Sequence, residues 1–229
     1  MKHLVAPVAA LVLLGGCGGA QPPSVDPVKV LHDGAAAIGA LKTVQATLKF
    51  TKGSVSFQGF TLVSAKANVR LPDESDTTYT VKEQDFTIPI EVVITGGHVY
   101  LRPPFSTFVM ATTAEAPAIP DLARLFDATN GLPAVIPAGT GSKFVGTDQV
   151  DGAGAYQIST AYTPQQIHGM LSQLSSAGQV EARIWVDTGD HLIRKAVLDG
   201  AFGDGGKPAT VEVDMAGFNA SAAIASPTP

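Results

Sequence analysis

The chain of 229 residues has a single cysteine, no run of basic residues and no apolar stretch long enough to cross a bilayer. Each of these absences removes a class of protein. One cysteine cannot close a disulfide within the chain. Fifteen Lys and Arg against twenty Asp and Glu leave a formal net charge of −5. Without clustered cations there is nothing to neutralise phosphates, so nucleic acid is excluded as a partner. The apolar stretch from Leu4 to Leu14 falls short of the roughly 20 residues that span a bilayer. His3, His32, His98, His168 and His191 never fall at ligand spacing, so neither a metal nor a cofactor is expected. No G-x-S-x-G elbow occurs. Asp187-Thr188-Gly189 matches the aspartic-protease triplet, but that chemistry needs two carboxylates and the chain has no second copy. Between strands the triplet reads as a turn. Gly139-Thr140-Gly141-Ser142-Lys143 lacks the spacing of a phosphate loop. These gaps point away from an enzyme.

What is present begins at the N-terminus. Lys2 precedes the apolar stretch, and Leu14-Gly15-Gly16-Cys17 follows it. This is a short positive region, an apolar core of signal-peptide length and a small-residue cleavage site. It resembles a bacterial lipobox, with Gly15 where Ala, Ser or Thr is more usual. The expectation is a lipoprotein signal peptide over residues 1–16 and a diacylglyceryl group on the Cys17 thiol. Residues 17–27 then form a lipidated cysteine and a Gly/Pro-rich tether. More than one acyl chain makes such an anchor stable. The protein is thus expected on the cell membrane, lipid-anchored and facing the extracytoplasmic space.

Beyond the tether the chain alternates between helix and strand signals. Apolar spacing from Pro27 to about Thr43 predicts a helix, with Pro27 in its first turn. In "TLVSAKANVRL", Val63, Ala65, Ala67, Val69 and Leu71 share one strand face. In "FTIPIEVVIT" the shared face is Phe86, Ile88, Ile90, Val92 and Ile94, and Pro89 suggests an edge or bulge. A short helix is expected from about Asp121, and a hairpin at Asp151-Gly152. Thr163, Pro164 and Gln166 form a T-x-x-Q capping box ahead of Ile167, Met170, Leu171 and Leu174. Val180, Ala182, Ile184 and Val186 alternate with Gln179, Glu181, Arg183 and Trp185, and two further strands follow. Residues 28–218 read as one domain of α+β class with meandering antiparallel strands. Residues 219–229 read as a disordered tail.

Ala65, Ala67 and Ala182 lie where a packed core favours larger side chains. The sheet then either curves around an apolar space or seats its alanines against helices.

The order of these phrases resembles the LppX/LprAFG family of mycobacterial-type cell-envelope lipoproteins. The resemblance rests on the lipobox, "FTLVSAKANVRLPD", "IPIEVVITGGHVYLRPP", "KFVGTDQVDGAGAYQIS", the capped helix and "VEARIWVDTGDHLIRKAVLDG". It implies a strongly curved antiparallel sheet, a half-barrel, with helices closing its concave face around an apolar cavity. It also implies binding of a lipid or glycolipid with long acyl chains and its carriage toward the outer envelope, in some members alongside a membrane lipid transporter. The inward positions it assigns are Val63, Ala65, Ala67, Ile88, Ile90, Val92, Ile167, Met170, Leu171, Ile184 and Val186. The alternative is a cell-surface interaction lipoprotein with a filled core and no cargo. An envelope enzyme acting on lipid is hinted at only by His168 and the acidic turns.

Overall fold

A computed structural model describes residues 25–57, 59–170 and 176–228. Helix α1 (Pro27–Gly39) starts where the Asp26 carboxylate accepts hydrogen bonds from the amides of Val28 and Lys29 at 3.0 and 3.3 Å. Such a cap supplies partners for amides that the first helical turn leaves free. Twelve strands follow: β1 (Thr43–Lys52), β2 (Val55–Phe57), β3 (Phe60–Arg70), β4 (Glu74–Glu83), β5 (Phe86–Thr95), β6 (His98–Arg102), β7 (Val109–Met110), β8 (Thr140–Val150), β9 (Ala153–Tyr162), β10 (Val180–Asp187), β11 (Ile193–Gly203) and β12 (Lys207–Ala216). Between β7 and β8 lie two 3₁₀ turns (Ala116–Ala118 and Leu122–Phe126), α2 (Leu132–Val135) and a third turn (Ile136–Ala138). Helix α3 (Pro164–Met170) joins β9 to β10.

The strands form one antiparallel sheet in the order β7-β6-β5-β4-β3-β1-β12-β11-β10-β9-β8, with β2 added beside β3. It is thus two meanders, β3 to β7 and β8 to β12, joined by β1. Thr43 to Lys49 pair with Arg70 to Ser64 on one side, and Gln45 to Lys52 pair with Ala216 to Thr210 on the other. The end strands β7 and β8 do not pair with each other, so the curved sheet stays open as a half-barrel. The fold class is the one expected.

Local chemistry explains most of the joints. Asp151 and Gly152 both take positive φ, 50° and 80°, the pair of angles a two-residue hairpin turn requires. The capping box forms: the Gln166 amide donates to Thr163 Oγ1 at 3.3 Å and the Thr163 amide to Gln166 Oε1 at 2.7 Å. Pro89 pairs only with Thr80 of β4, because β6 begins its pairing at Glu91; its missing N–H faces an unpaired flank. The residues from 219 onward are engaged at their start. Asn219 accepts from the Lys42 amide at 2.8 Å, Thr43 Oγ1 donates to the Ala220 carbonyl at 2.5 Å, and Ile224 is buried.

Helix α1 lies on the sheet through Val30, Leu31, Ala35 and Ile38, all buried. Gly34 sets how closely it lies. A Cβ there would stand 3.2 Å from Ile193 Cγ1 and 3.4 Å from Val186 Cγ1. Gly34→Leu should therefore overpack this contact and lower stability by about 1–3 kcal/mol. Urea denaturation followed by far-UV circular dichroism checks it, and an unchanged midpoint would contradict the packing described.

Candidate functional site

The inward side chains of the sheet divide into two buried apolar clusters. The first gathers Ala67, Ile167, Met170, Ala182, Ile184 and Val186 with α1 and the 3₁₀ turn Leu122–Phe126. The second gathers Ala65, Ile90 and Val92 with Phe57, Tyr79, Val81, Ile94 and Ile119, and Ile88 is half-buried at its margin. Nine of the eleven expected inward positions therefore fall on two neighbouring walls. Leu171 and Cys17 lie outside the described residues.

Val63 belongs to neither wall. The β3–β4 pairing shifts register between Leu62 and Ser64, so Val63 is the extra residue of a bulge. A bulge reverses which alternate residues face inward. Below it Leu62 and Phe60 pack against the second cluster in place of Val63. Phe86, expected on the inward face of β5, is 73% exposed because it sits at the β4–β5 turn. No signal in the sequence marks the bulge.

Between the walls the floor is made of small side chains on β1, β3 and β4. Ala46 lies opposite Ala67, Leu48 opposite Ala65, and Ala67 opposite Thr77. Ser75, Thr77, Tyr79 and Val81 are the buried alternate residues of β4, a face masked in the sequence by its hydroxyl groups. Ser75 Oγ is buried and has no hydrogen-bond partner among the described residues.

The linking segment between β7 and β8 covers this floor and is pinned from outside by three side chains. Tyr79 donates to the Pro120 carbonyl at 3.3 Å, Tyr162 to the Ile136 carbonyl at 3.1 Å, and Gln166 Nε2 to the Ala138 carbonyl at 2.9 Å. Burial raises the pKa of both phenols, with the nearby Asp121 carboxylate adding to the effect at Tyr79. Asp121 caps the 3₁₀ turn by accepting from the Ala123 amide at 3.0 Å. Its own pKa is raised by burial, which outweighs the Ala123 amide and the Arg124 charge. Ile119, Leu122, Ala123 and Phe126 bring the segment's apolar side chains down onto the clusters.

Two open depressions lie away from the floor. One, about 460 Å³, sits at the β11–β12 turn between Val55, Ser56, Ala177, Phe202 and Asp204. Phe202 in its wall also packs against the first cluster. The other, about 280 Å³, lies on the outer face between Asp148, Trp185, Lys195 and Asp214. Trp185 was expected on a polar face. It is buried there with Val150, Ala155 and Val197, donating from Nε1 to Asp148 Oδ2 at 3.2 Å. Among the described residues no group of three or more His, Cys, Asp or Glu is placed to hold a metal ion, and no helix is long and apolar enough to cross a membrane.

The D-T-G triplet forms a turn. Asp187 Oδ1 accepts from the amides of Gly189 and Asp190 at 2.7 and 3.2 Å, and Oδ2 accepts from Arg194 Nε at 2.6 Å. Burial opposes ionisation of Asp187, but the two amides and the guanidinium outweigh it and hold its pKa below the ordinary carboxylate value.

The LppX_LprAFG lipoprotein family profile matches residues 26–224. Among solved structures, LprF from Mycobacterium bovis superposes with a TM-score of 0.69 at 18% identity, covering 89% of this chain and 97% of that one. The lipoprotein LppX from Mycobacterium tuberculosis superposes with a TM-score of 0.61 at 15% identity, covering 86% and 97%. At these identities the superpositions bear on fold. Comparison with curated proteins gives no match.

A lowered folded-state pKa means that the Asp187 carboxylate adds stability above its unfolded value, near pH 4, and loses it as pH falls through the folded one. Asp187→Ala should cost about 1–3 kcal/mol at pH 7, the range for hydrogen bonds to a charged group. The deficit should shrink below about pH 3. Chemical denaturation of both proteins at pH 7 and pH 3 measures it, and a deficit equal at both values would contradict the assignment.

Proposed function

The chain belongs to the LppX_LprAFG lipoprotein family, a family of lipid-binding lipoproteins, and from that premise we propose that it binds acyl chains of a lipid or glycolipid on the concave face and carries them toward the outer envelope. Residues 28–218 are the binding domain in this reading. Residues 1–16 direct export and Cys17 carries the lipid anchor to the cell membrane. The anchor confines the protein to the extracytoplasmic side, where a membrane lipid transporter is a natural source of cargo.

The observation that carries the proposal is the small-residue floor between two apolar walls, roofed by a segment of short turns that Tyr79, Tyr162 and Gln166 hold in place. An acyl chain is a flexible apolar rod, and a floor of Ala46, Ala65 and Ala67 leaves depth for one once the roof is lifted. The roof is a set of short turns and not a long helix, so displacing it breaks few backbone hydrogen bonds. Each methylene kept from water is worth about 0.8 kcal/mol. A sixteen-carbon chain left bare in the aqueous space would then cost on the order of 12 kcal/mol, which an enclosing carrier offsets. Phe202, shared by the first cluster and the depression at the β11–β12 turn, stands where cargo would enter.

A second reading, an interaction lipoprotein with a filled core, draws on the same residues: Ala65, Ala67 and Ala182 are already enclosed by neighbours. The two readings separate on one measurement. Residues 18–229, purified gently from an actinobacterial host, should carry a species one lipid heavier in native mass spectrometry, and Ala65→Phe or Ala67→Phe should reduce its occupancy several-fold while the protein stays folded. Bare mass with added glycolipids failing to bind selects the filled core. For the anchor, Cys17→Ser in the full chain should move the protein out of the membrane fraction and abolish the acyl mass increment; retention of both would refute lipidation at this residue.

A further inference from the structure

The pairing register fixes which strand ends lie together. Lys52 of β1, Phe60 of β3, Glu83 of β4, Phe86 of β5 and Lys207 of β12 all lie at one end of the sheet. Arg102 of β6 pairs with Glu91, so the loop after it runs on toward that same end. This loop carries Phe105, whose side chain is wholly exposed. Its φ of 59° is in the left-handed region, which a bulky residue adopts only against steric resistance. Pro103 and Pro104 directly before it restrict the backbone further. Phe86 is exposed at the neighbouring β4–β5 turn, while Val109 and Met110 of β7 pair with Leu101 and Tyr100 and lie back toward the other end.

Charge is distributed unevenly between the two ends. At the end opposite Phe105, Asp73, Glu74, Asp148, Asp151, Asp187, Asp190 and Asp214 at or near the turns outnumber Lys42, Arg70, Arg194 and Lys195. At the Phe105 end Lys52, Lys82 and Lys207 balance Glu83, Asp85 and Asp204, and Asp204 is occupied by Ser56. A chain of net charge −5 therefore presents its one nearly neutral end where its aromatic tips project.

We propose that this end docks into the interface of a lipid bilayer, with Phe105 as the wedge and Phe86 beside it. Exposed Phe side chains enter the boundary between headgroups and acyl chains, and the acidic opposite end is repelled by anionic lipid. Separate side chains on two connections make no groove for a protein segment, whereas a fluid interface accepts each of them independently. The depression walled by Phe202 lies at this same end, so docking would set the cargo entrance against the membrane. This rests on the anchored carrier reading above. It is within reach of the anchor: residues 18–26 fully extended span about 30 Å, close to the length of a ten-residue strand.

The test places a tryptophan at each end of the full-length acylated chain, Phe105→Trp and Asp73→Trp, both at exposed positions. Trp185 is buried and supplies a constant background. The proteins are reconstituted into phosphatidylcholine/phosphatidylglycerol vesicles with or without bromine at carbons 6 and 7 of the acyl chains. Brominated lipid should quench the Phe105→Trp increment at least two-fold and leave the Asp73→Trp increment unchanged. Equal quenching at the two ends, or none at Phe105→Trp, overturns the docking proposal. Bound lipid is extracted from the same samples. Loaded but unquenched protein removes the docking and keeps the carrier, and quenched but empty protein does the reverse.

Discussion

The backbone hydrogen bonds of β1 are the constraint on which the rest of the molecule depends. Each meander is built from sequence neighbours, joined by short connections except where α3 links β9 to β10, and needs no outside partner to find its pairing. Neither meander contacts the other along the sheet except through β1, which satisfies β3 on one side and β12 on the other. The second of these ladders joins Gln45 to Ala216, across most of the described chain. The bonds from Asn219 and Ala220 to Lys42 and Thr43 close the same joint at its start. The alanine floor exists only because this joint is made, since Ala46 comes from β1 and Ala65 and Ala67 from β3.

The two apolar walls differ in how they are covered. The first receives α1, whose approach is set by Gly34 against Val186 and Ile193. The second meets the linking segment at Ile119 and through the Tyr79–Pro120 bond, whereas Leu122, Ala123, Phe126 and Ile136 of that segment pack on the first beside α1. One wall thus carries a capped helix of 13 residues and most of the linking segment, and the other carries less of either. Opening the concave face breaks fewer contacts on the second side.

Much of this was legible in the sequence where two-residue alternation or a cap supplied the signal. Val180, Ala182, Ile184 and Val186 alternate cleanly and are all buried, and the T-x-x-Q box at Thr163 forms its bonds. Alternation carries no signal where one residue is inserted or where burial is polar. The bulge at Val63 shifts the inward set to Leu62 and Phe60 without any glycine or proline to mark it. Ser75 and Thr77 are inward on β4, yet hydroxyl side chains read as surface. Trp185 alternates with charged residues and is buried all the same, because Val150, Ala155 and Val197 build a small cluster on the outer face. Such a cluster depends on neighbouring strands, and single-strand periodicity does not contain it.

An open half-barrel keeps two free edges, each a row of unpaired amides and carbonyls able to template another chain. The β7 edge is two residues long and offers little to copy. The β8 edge is eleven residues long, but its pairing with β9 is broken between Thr140 and Lys143 and again between Phe144 and Gly146. Those breaks twist the strand away from a regular ladder, and Lys143 puts a charge beside them. Where copies crowd together, the same irregularities keep neighbouring chains from zipping into a continuous sheet.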